Sequence, residues 1–276
     1  MPAEPSIRTT RPAAPPGFKL TACVAEHIGD RSDQQDRVAI LTSQHYPGTL
    51  MALLADGMGG RSGGRLASDQ VMSTAKNLFE ESPGAGATIR DLLKQIATEA
   101  HAVIRLTAIA SEKEPHSTLV ALVVQRSVAS WVHAGDSRLF HFRDGVLATK
   151  TIDHSYGSRM TADGQLVEGG PETDRYKNIL FSAIGIGNEL RLDYGQVDDL
   201  RTGDSFVLAS DGLWAYFTER ELGSIVHSVP AREAAETLVR LARERARGHG
   251  DNLSVAIVKL EKPDPVDKDK RRPYRG

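Results

Sequence analysis

The sequence predicts an α+β fold in which sheets and helices form separate layers. Short apolar runs bounded by Gly, Asp and Asn fill most of the chain and indicate β-strands. Helical patterns come in two consecutive pairs, one after residue 60 and one after residue 217, with a β-meander between them. We therefore expect one domain over residues 18–260. The flanking segments 1–17 and 261–276 are expected to be disordered tails, the first rich in proline and the second mixing proline with dense charge.

Composition limits the classes of function. The chain has 276 residues, a net charge of −2 and a pI near 6.5. It can bury a sizeable core, and its charge gives no basis for binding nucleic acid or a membrane surface. Cys23 is the only cysteine, so we expect no disulfide framework and no zinc cluster, but a small core residue in a reducing compartment. The chain lacks a signal-peptide stretch and an apolar run of about 18 residues, which favours the cytoplasm.

One buried strand is the centre of the pattern. Residues 50–55 are all apolar, which is typical of a strand buried on both faces. Asp56 and Gly57 follow, and we expect them to end the strand in a tight turn before an amphipathic helix. A simple Asp-Gly turn is one interpretation of this sequence. A loop over Asp56–Gly64 that holds a phosphate at the helix N-terminus is another, although the Gly-Lys-Ser/Thr ending of a nucleotide P-loop is missing.

The remaining helices and strands are predicted from helical and strand-type patterns of apolar residues. A later helix begins at Thr218 as its N-cap, with Glu221 at N3. The segment 153–178 has little apolar periodicity and many Gly, Ser, Asp and Glu residues, so we expect a functional flap there. Other helices are predicted at 88–109 and 231–247, and strands at 18–25, 37–41, 117–125, 128–133, 137–142, 146–149, 190–197, 205–209 and 253–260.

Four aspartates share one setting, the end of an apolar strand beside a glycine: Asp56, Asp136, Asp211 and Asp251. An ordinary turn would explain any one of them. If the strand ends converge, however, the carboxylates repel one another and need cations between them. Oxygen ligands without Cys or clustered His select Mg²⁺ or Mn²⁺ over zinc. Two such ions close together can activate water for the hydrolysis of phosphate esters.

A set of motifs then connects these aspartates with a known family. The motifs are Arg31…Gln35-Asp36, Asp56-Gly-Met-Gly-Gly60, Gly135-Asp-Ser-Arg138, Asp153-His154-Ser155, Ser182-Ala-Ile-Gly185, Ser210-Asp-Gly-Leu-Trp214 and Asp251-Asn252. In this order, from about residue 18 to residue 260, they resemble the metal-dependent type 2C protein serine/threonine phosphatases of the compact bacterial type. The resemblance implies a four-layer α-β-β-α sandwich, with two antiparallel sheets flanked by helix pairs and a binuclear Mg²⁺ or Mn²⁺ site at one end.

The resemblance also implies the metal ligands. Asp56 would bridge two metals, and the Gly57 carbonyl would bind one of them. Asp211 and Asp251 would complete the other. Asp136 corresponds to a ligand of a third, weaker metal. A water that bridges the two tight metals is the implied nucleophile.

Four further residues have implied roles near the metals. Arg31 corresponds to the arginine that grips the substrate phosphate, a task suited to its planar guanidinium. The alternative interpretation of Arg31 is that it is a solvated surface arginine without a role in the site. Gln35, Asp36 and Asn252 are expected to support the ligands from just behind them.

Three positions depart from the family's pattern. Gln35 stands where many members have a glutamate, which predicts weaker metal binding. Met58 replaces a histidine proposed as the general acid in animal relatives, a loss that bacterial members commonly share. Ala215 replaces an acidic residue that often binds the third metal, so that site is in question. His154 is interpreted as a structural residue.

The resulting hypothesis is a phosphoserine/phosphothreonine phosphatase. Its partners would be phosphorylated proteins, including a Ser/Thr kinase or its substrates, and it would act as a monomer. One alternative is a pseudophosphatase that keeps the fold as a regulatory binding module. Retention of Asp56, Asp211, Asp251 and Arg31 argues against it, whereas Gln35 and Ala215 leave it open. The second alternative is the nucleotide-binding loop at Asp56–Gly64.

Overall fold

The computed structural model describes residues 17–43, 48–81, 88–110, 114–167, 170 and 175–263. The two predicted tails lie almost entirely outside these residues. The strands are β1 (Lys19–His27), β2 (Asp36–Thr42), β3 (Thr49–Met58), β4 (His116–Ser117), β5 (Leu119–Gln125), β6 (Val128–Ala134), β7 (Arg138–Arg143), β8 (Val146–Lys150), β9 (Asp193–Val197), β10 (Asp204–Ala209) and β11 (Leu253–Glu261). The helices are α1 (Gly60–Glu81), α2 (Ile89–Ala110), α3 (Tyr156–Ala162), α4 (Asp211–Trp214), α5 (Glu219–Ser228) and α6 (Ala231–Ala246).

The described strands form two antiparallel sheets. One has the order β1-β11-β10-β7-β8, and the other has the order β2-β3-β5-β6-β9 with β4 paired to the end of β3. An apolar cluster joins the two sheets face to face, through residues such as Leu54 and Leu122 on one side and Phe206 and Ala256 on the other. The predicted antiparallel sheets and their stacking are therefore confirmed.

Helices cover both outer faces. Helices α1 and α2 pack on the sheet that contains β3, and α5 and α6 pack on the sheet that contains β10. The position of β3 between these helices and the other sheet explains why residues 50–55 are all apolar. Its side chains alternate, with Met51 and Leu53 facing the helices and Leu50 and Ala52 facing the other sheet. The result is the expected four-layer α-β-β-α sandwich.

The prediction that Asp56 and Gly57 end the central strand is wrong. Strand β3 continues to Met58, and Gly57 pairs with Ser117 of β4. Glycine is needed here because a Cβ at position 57 would lie 2.1 Å from the Gly64 carbonyl oxygen of α1. The chain turns instead at Gly59, whose φ is +123°. Residues 56–58 are strand and residue 60 begins a helix, so Gly59 alone connects β3 to α1.

Other differences concern element ends and the flap. Strand β1 continues to residue 27, β9 begins only at residue 193, and β11 extends to Glu261, one residue into the expected tail. The Thr218 cap is confirmed, since its side chain accepts a hydrogen bond from Glu221 N. The segment predicted to be a flap contains α3, and Ser155 caps that helix by accepting from Ser158 N at 3.2 Å.

Cys23 is half-buried beside the cluster under α6 rather than inside the core. None of the helices in the described ranges is long and apolar enough to cross a bilayer.

Candidate active site

A cavity of about 500 Å³ lies where the ends of both sheets meet. Strand β3 ends there, β10 ends there, and β11 and β7 begin there because they run antiparallel to β10. The four aspartates singled out from the sequence all line this cavity: Asp56, Asp136, Asp211 and Asp251. The convergence that the sequence left open is therefore present.

A fifth carboxylate lies behind the cavity wall. Asp36 of β2 is directly opposite Asp56 of β3 in the ladder and is fully buried. Its Oδ2 accepts a hydrogen bond from Ser210 Oγ at 2.7 Å, whereas its Oδ1 has no hydrogen-bond partner within the described residues. Two carboxylates directly opposite each other repel. The two carboxyl groups therefore resist being ionised together unless a positive charge lies beside them.

Burial and repulsion change the acidity of the cluster. Burial raises the pKa of the Asp56 carboxyl well above its usual value, and the neighbouring carboxylates raise it further. The pKa of Asp136 is raised to about 8, by burial first and then by the charge of Asp211. These groups resist ionisation unless cations lie between them. A set of oxygen-only donors, with Asp36 and Asp136 buried and one Asp36 oxygen orphaned, fits hard divalent ions such as Mg²⁺ and Mn²⁺.

Short polar side chains connect the strand of Asp56 with the loop of Asp136. Asp56 N donates to Thr118 Oγ1 at 2.9 Å, and Thr118 N donates back to Asp56 O at 2.8 Å. The hydroxyls of Thr118 and Ser137 are 2.7 Å apart, which connects Asp56 with the loop of Asp136. Because these groups are buried, their hydrogen bonds fix the spacing of the two carboxylates.

Asn252 ties the loop before β2 to the start of β11. Its Oδ1 accepts from Gln35 N at 2.7 Å, and its Nδ2 donates to the carbonyls of Ile28 and Asp33 at 2.8 and 3.0 Å. A single buried amide therefore satisfies three backbone groups of residues 28–35. Asn252 also lines the cavity, next to Asp251.

Arg31 is at the mouth of the cavity, on that same loop. Its Nη2 forms an ion pair with Asp251 Oδ2 at 2.6 Å, and the two side chains are 62% and 41% exposed. The Arg31 side chain is solvated, as the alternative of a surface arginine expects, but it also lines the cavity and is paired with Asp251. The loop is anchored by Asp30, which binds Arg243 through both carboxylate oxygens at 2.8 and 2.7 Å.

The three residues that depart from the family pattern all line one of two neighbouring cavities. Gln35 lines the cavity, and its Nε2 donates to Gly60 O at 3.2 Å. Met58 also lines the cavity and offers no proton. Ala215 lies in an adjoining cavity of about 700 Å³, which is also lined by Asp211 and by Ser158 of the flap. The Ser155 hydroxyl, by contrast, is buried as a helix cap.

Sequence reasoning missed the contacts that fix the Asp136 loop. Arg138 binds both oxygens of Asp153 at 2.8 Å, and its guanidinium carbon lies 3.4 Å from the centre of the Trp214 ring. Trp214 Nε1 in turn donates to Asp136 O at 3.0 Å. Arg138, Asp153 and Trp214 all lie within the family motifs, and this shared membership could have indicated that they lie near the site. Asn178, which lines both cavities, stands in no motif.

Comparison with known proteins decides the family. The family model described as protein phosphatase 2C matches residues 24–247. This chain belongs to the protein phosphatase 2C family. It is 31% identical over 242 residues to protein phosphatase PhpP of Streptococcus pneumoniae, covering 85% of this chain and 94% of that protein. It is 29% identical over 219 residues to PstP of Mycobacterium tuberculosis, of which it spans 41%.

Solved structures agree with this family assignment. The S. agalactiae serine/threonine phosphatase superposes with a TM-score of 0.78 at 28% identity, covering 88% of this chain and all of that one. The catalytic domain of PstP in complex with two manganese ions superposes with a TM-score of 0.71 at 26% identity, covering 88% of this chain and 98% of that one.

The family assignment confirms three predictions: the sandwich fold, the enzyme class of metal-dependent protein serine/threonine phosphatase, and Mg²⁺ or Mn²⁺ as cofactor. It favours the enzyme over the pseudophosphatase, since the named relatives are phosphatases.

Proposed function

We propose that this 2C-family phosphatase hydrolyses phosphoserine and phosphothreonine monoesters of proteins at the cavity between the sheet ends. The observation that carries the proposal is the convergence of Asp56, Asp136, Asp211 and Asp251 on one cavity. Relatives named serine/threonine phosphatases support the choice of substrate.

Each carboxylate has a distinct place in this proposal. Asp56, with carboxylate neighbours on several sides, would be a ligand of both of two cations, and the Gly57 carbonyl would be a further ligand of one of them. Asp211 and Asp251 would hold the other. Asp136 would belong to a weaker third site beside the flap. When bound, divalent cations polarise a phosphoryl group and lower the pKa of the water that attacks it.

Arg31 binds the phosphate of the substrate. Its guanidinium can donate two parallel hydrogen bonds to phosphoryl oxygens, and such charge-assisted pairs are stronger than neutral ones. Its Nη2 is bonded to Asp251, and this contact can be exchanged for one with the substrate. Both members of that ion pair are substantially exposed, so the exchange costs little.

Gln35, Asp36 and Asn252 act from behind the ligands. Asp36 adds negative charge next to Asp56, and Asn252 fixes the loop that carries Arg31. Gln35 contributes a neutral amide at the cavity wall, which supports weaker metal binding than a carboxylate would give.

The physiological setting is part of the same proposal. The partners are phosphorylated proteins, among them a Ser/Thr kinase or its substrates, because such a phosphatase acts on the product of a kinase. The enzyme acts as a monomer in the cytoplasm. We further propose that segment 153–178 is the flap of the catalytic domain 18–260, since the second cavity lies between it and α4.

Hydrolysis of p-nitrophenyl phosphate and of a phosphothreonine peptide, with and without Mn²⁺, tests this function. We expect turnover of both only with the metal, and no loss in Asp198→Asn, which changes an exposed aspartate outside the cavity. Absence of Mn²⁺-dependent turnover of both substrates by the folded protein would contradict the proposal.

A further inference from the structure

A second group of metal-type side chains lies outside the carboxylate cavity. It consists of His133, His154 and Asp193, and one potential ligand atom from each lies within 4.8 Å of the others. None of the three lines the cavity of the carboxylate cluster. The sequence did not suggest this group, because its members are far apart along the chain.

The backbone brings these residues together firmly. His133 of β6 and Asp193 of β9 are direct partners in the antiparallel ladder, so their side chains share one face of the sheet. His154 lies at the base of the flap and is held by two backbone hydrogen bonds. Its N donates to Gly135 O at 2.8 Å, and its O accepts from Phe181 N at 2.9 Å.

The polar atoms of the group are poorly satisfied. His133 is fully buried, and neither of its ring nitrogens has a hydrogen-bond partner within the described residues. The rings of His133 and His154 are 4.6 Å apart between centroids, and His154 Nε2 lies 3.1 Å from Asp193 Oδ2. A buried, unpartnered imidazole facing a second histidine and a carboxylate is costly unless a further group binds it.

We propose that His133, His154 and Asp193 form a site for a Zn²⁺-type transition ion, separate from the catalytic metals. Two imidazoles and one carboxylate are a usual three-ligand set for zinc, with water as the fourth ligand. Imidazole also favours zinc over the hard ions that all-oxygen sites select. Burial lowers the pKa of both histidines, so both are neutral and able to bind a metal at pH 7.

Access and charge are compatible with an ion. The Asp193 side chain is 43% exposed, which gives the ion and its water a path from solvent. Its Oδ1 faces Arg191 at 3.5 Å, and its Oδ2 lies 3.1 Å from His154 Nε2, a contact that an ion bound between the two atoms would replace. Binding at His154 Nε2 moves the ring proton to Nδ1 and ends the contact with Gly135 N, which at 3.4 Å is a weak one.

Such a site would pin the base of the flap to the sheet. The ion would connect β6 and β9 with residue 154, next to Asp153, which holds Arg138. A ligand that binds only the folded state raises its stability. We therefore expect Zn²⁺ to raise the melting temperature even when excess Mg²⁺ is present.

Zn²⁺ binding to the full-length chain tests the proposal. Binding is measured by competition with a chromogenic chelator in excess Mg²⁺, for the wild type, His133→Asn and Asp193→Asn. We expect each cluster variant to lose one equivalent of tightly bound Zn²⁺, with affinity at that site reduced by at least about tenfold. The control is His101→Asn, another buried histidine with an unpartnered nitrogen, which should retain the equivalent.

Zinc K-edge absorption of the wild type provides a readout that does not depend on variant folding. We expect scattering from two imidazoles at about 2.0–2.1 Å, whereas zinc in the carboxylate cavity would show oxygen ligands only. A zinc shell without imidazole, or equal Zn²⁺ binding by wild type and both cluster variants, would overturn the proposal. Because neither readout uses activity, this failure is distinct from a failure of the phosphatase assignment.

Discussion

The Arg31 guanidinium lies 2.6 Å from the Asp251 carboxylate, so the proposed phosphate-binding side chain and a proposed metal ligand share one ion pair. The pair joins residues 220 positions apart along the chain. Because both side chains are well exposed, the pair contributes little to stability and can exchange partners. A cation at Asp251 would compete with Arg31 for the same oxygen, and its arrival would release the guanidinium toward the substrate.

Arg31→Ala should weaken substrate capture more than metal binding. Loss of a charge-assisted bidentate contact is expected to lower kcat/KM by about 30- to 1000-fold, or roughly 2–4 kcal/mol. Mn²⁺ affinity, measured by calorimetry, should stay the same or rise slightly, because a competitor for Asp251 is removed. Arg31→Lys is the matched control, since it keeps the positive charge but cannot donate two parallel hydrogen bonds as the guanidinium does. Weaker Mn²⁺ binding with unchanged kcat/KM would show that Arg31 has been misplaced.

Asp56→Asn should abolish turnover without unfolding the protein. Loss of the proposed bridging ligand is expected to cost at least about 10³-fold in rate. In metal-free protein the melting temperature should rise, because one of two opposed buried carboxylates is neutralised. Phosphate release measures the loss of turnover, and thermal unfolding followed by circular dichroism measures the change in melting temperature. Mn²⁺-dependent turnover within tenfold of the wild type would contradict the bridging role.

Gln35→Glu should tighten metal binding. A carboxylate at the cavity wall replaces a neutral amide, and charged oxygen ligands bind divalent cations more strongly. The Mn²⁺ concentration for half-maximal activity should therefore fall. Gln70→Glu makes the same change on α1, at a residue that does not line the cavity, and should leave that concentration unchanged. An unchanged or higher value in Gln35→Glu would mean that this side chain does not act on the metals.

Asp30 should make the stability of the active-site loop depend on pH. Hydrogen bonds from Arg243 and from Gly250 N hold the pKa of this carboxyl well below its usual value. Its contribution is therefore complete above the unfolded pKa, near 4, and is lost as the pH falls toward the lower folded pKa. Urea unfolding of the wild type and Asp30→Asn should differ by a constant amount at pH 5–7 and converge below pH 4. A difference that grows on acidification would exclude this assignment.

Sequence predicts those parts of the site that depend on residues close together along the chain. The apolar run of β3 and the aspartates at strand ends are local patterns; the run is a buried strand, and the four aspartates line the cavity. The end of β3 was predicted wrongly, because Asp-Gly is a common turn. The reason for glycine at 57 is instead the close approach of Gly64, a contact between β3 and α1 that residue preferences do not encode.

Long-range side-chain contacts were the least predictable part. Arg138 and Asp153 form a bidentate pair across the base of the flap, and His133 meets Asp193 only because β6 pairs with β9. These contacts depend on strand register and on how the flap folds back. Neither follows from the apolar periodicity of the segments involved.

Anomalous diffraction from crystals grown with Mn²⁺ tests the central claim most directly, because it locates the metals without relying on activity. The account predicts two manganese peaks about 3.5–4 Å apart, both bonded to the carboxylate of Asp56 and flanked by Asp211 and Asp251. Manganese peaks elsewhere in the molecule, with none bonded to Asp56, would contradict it.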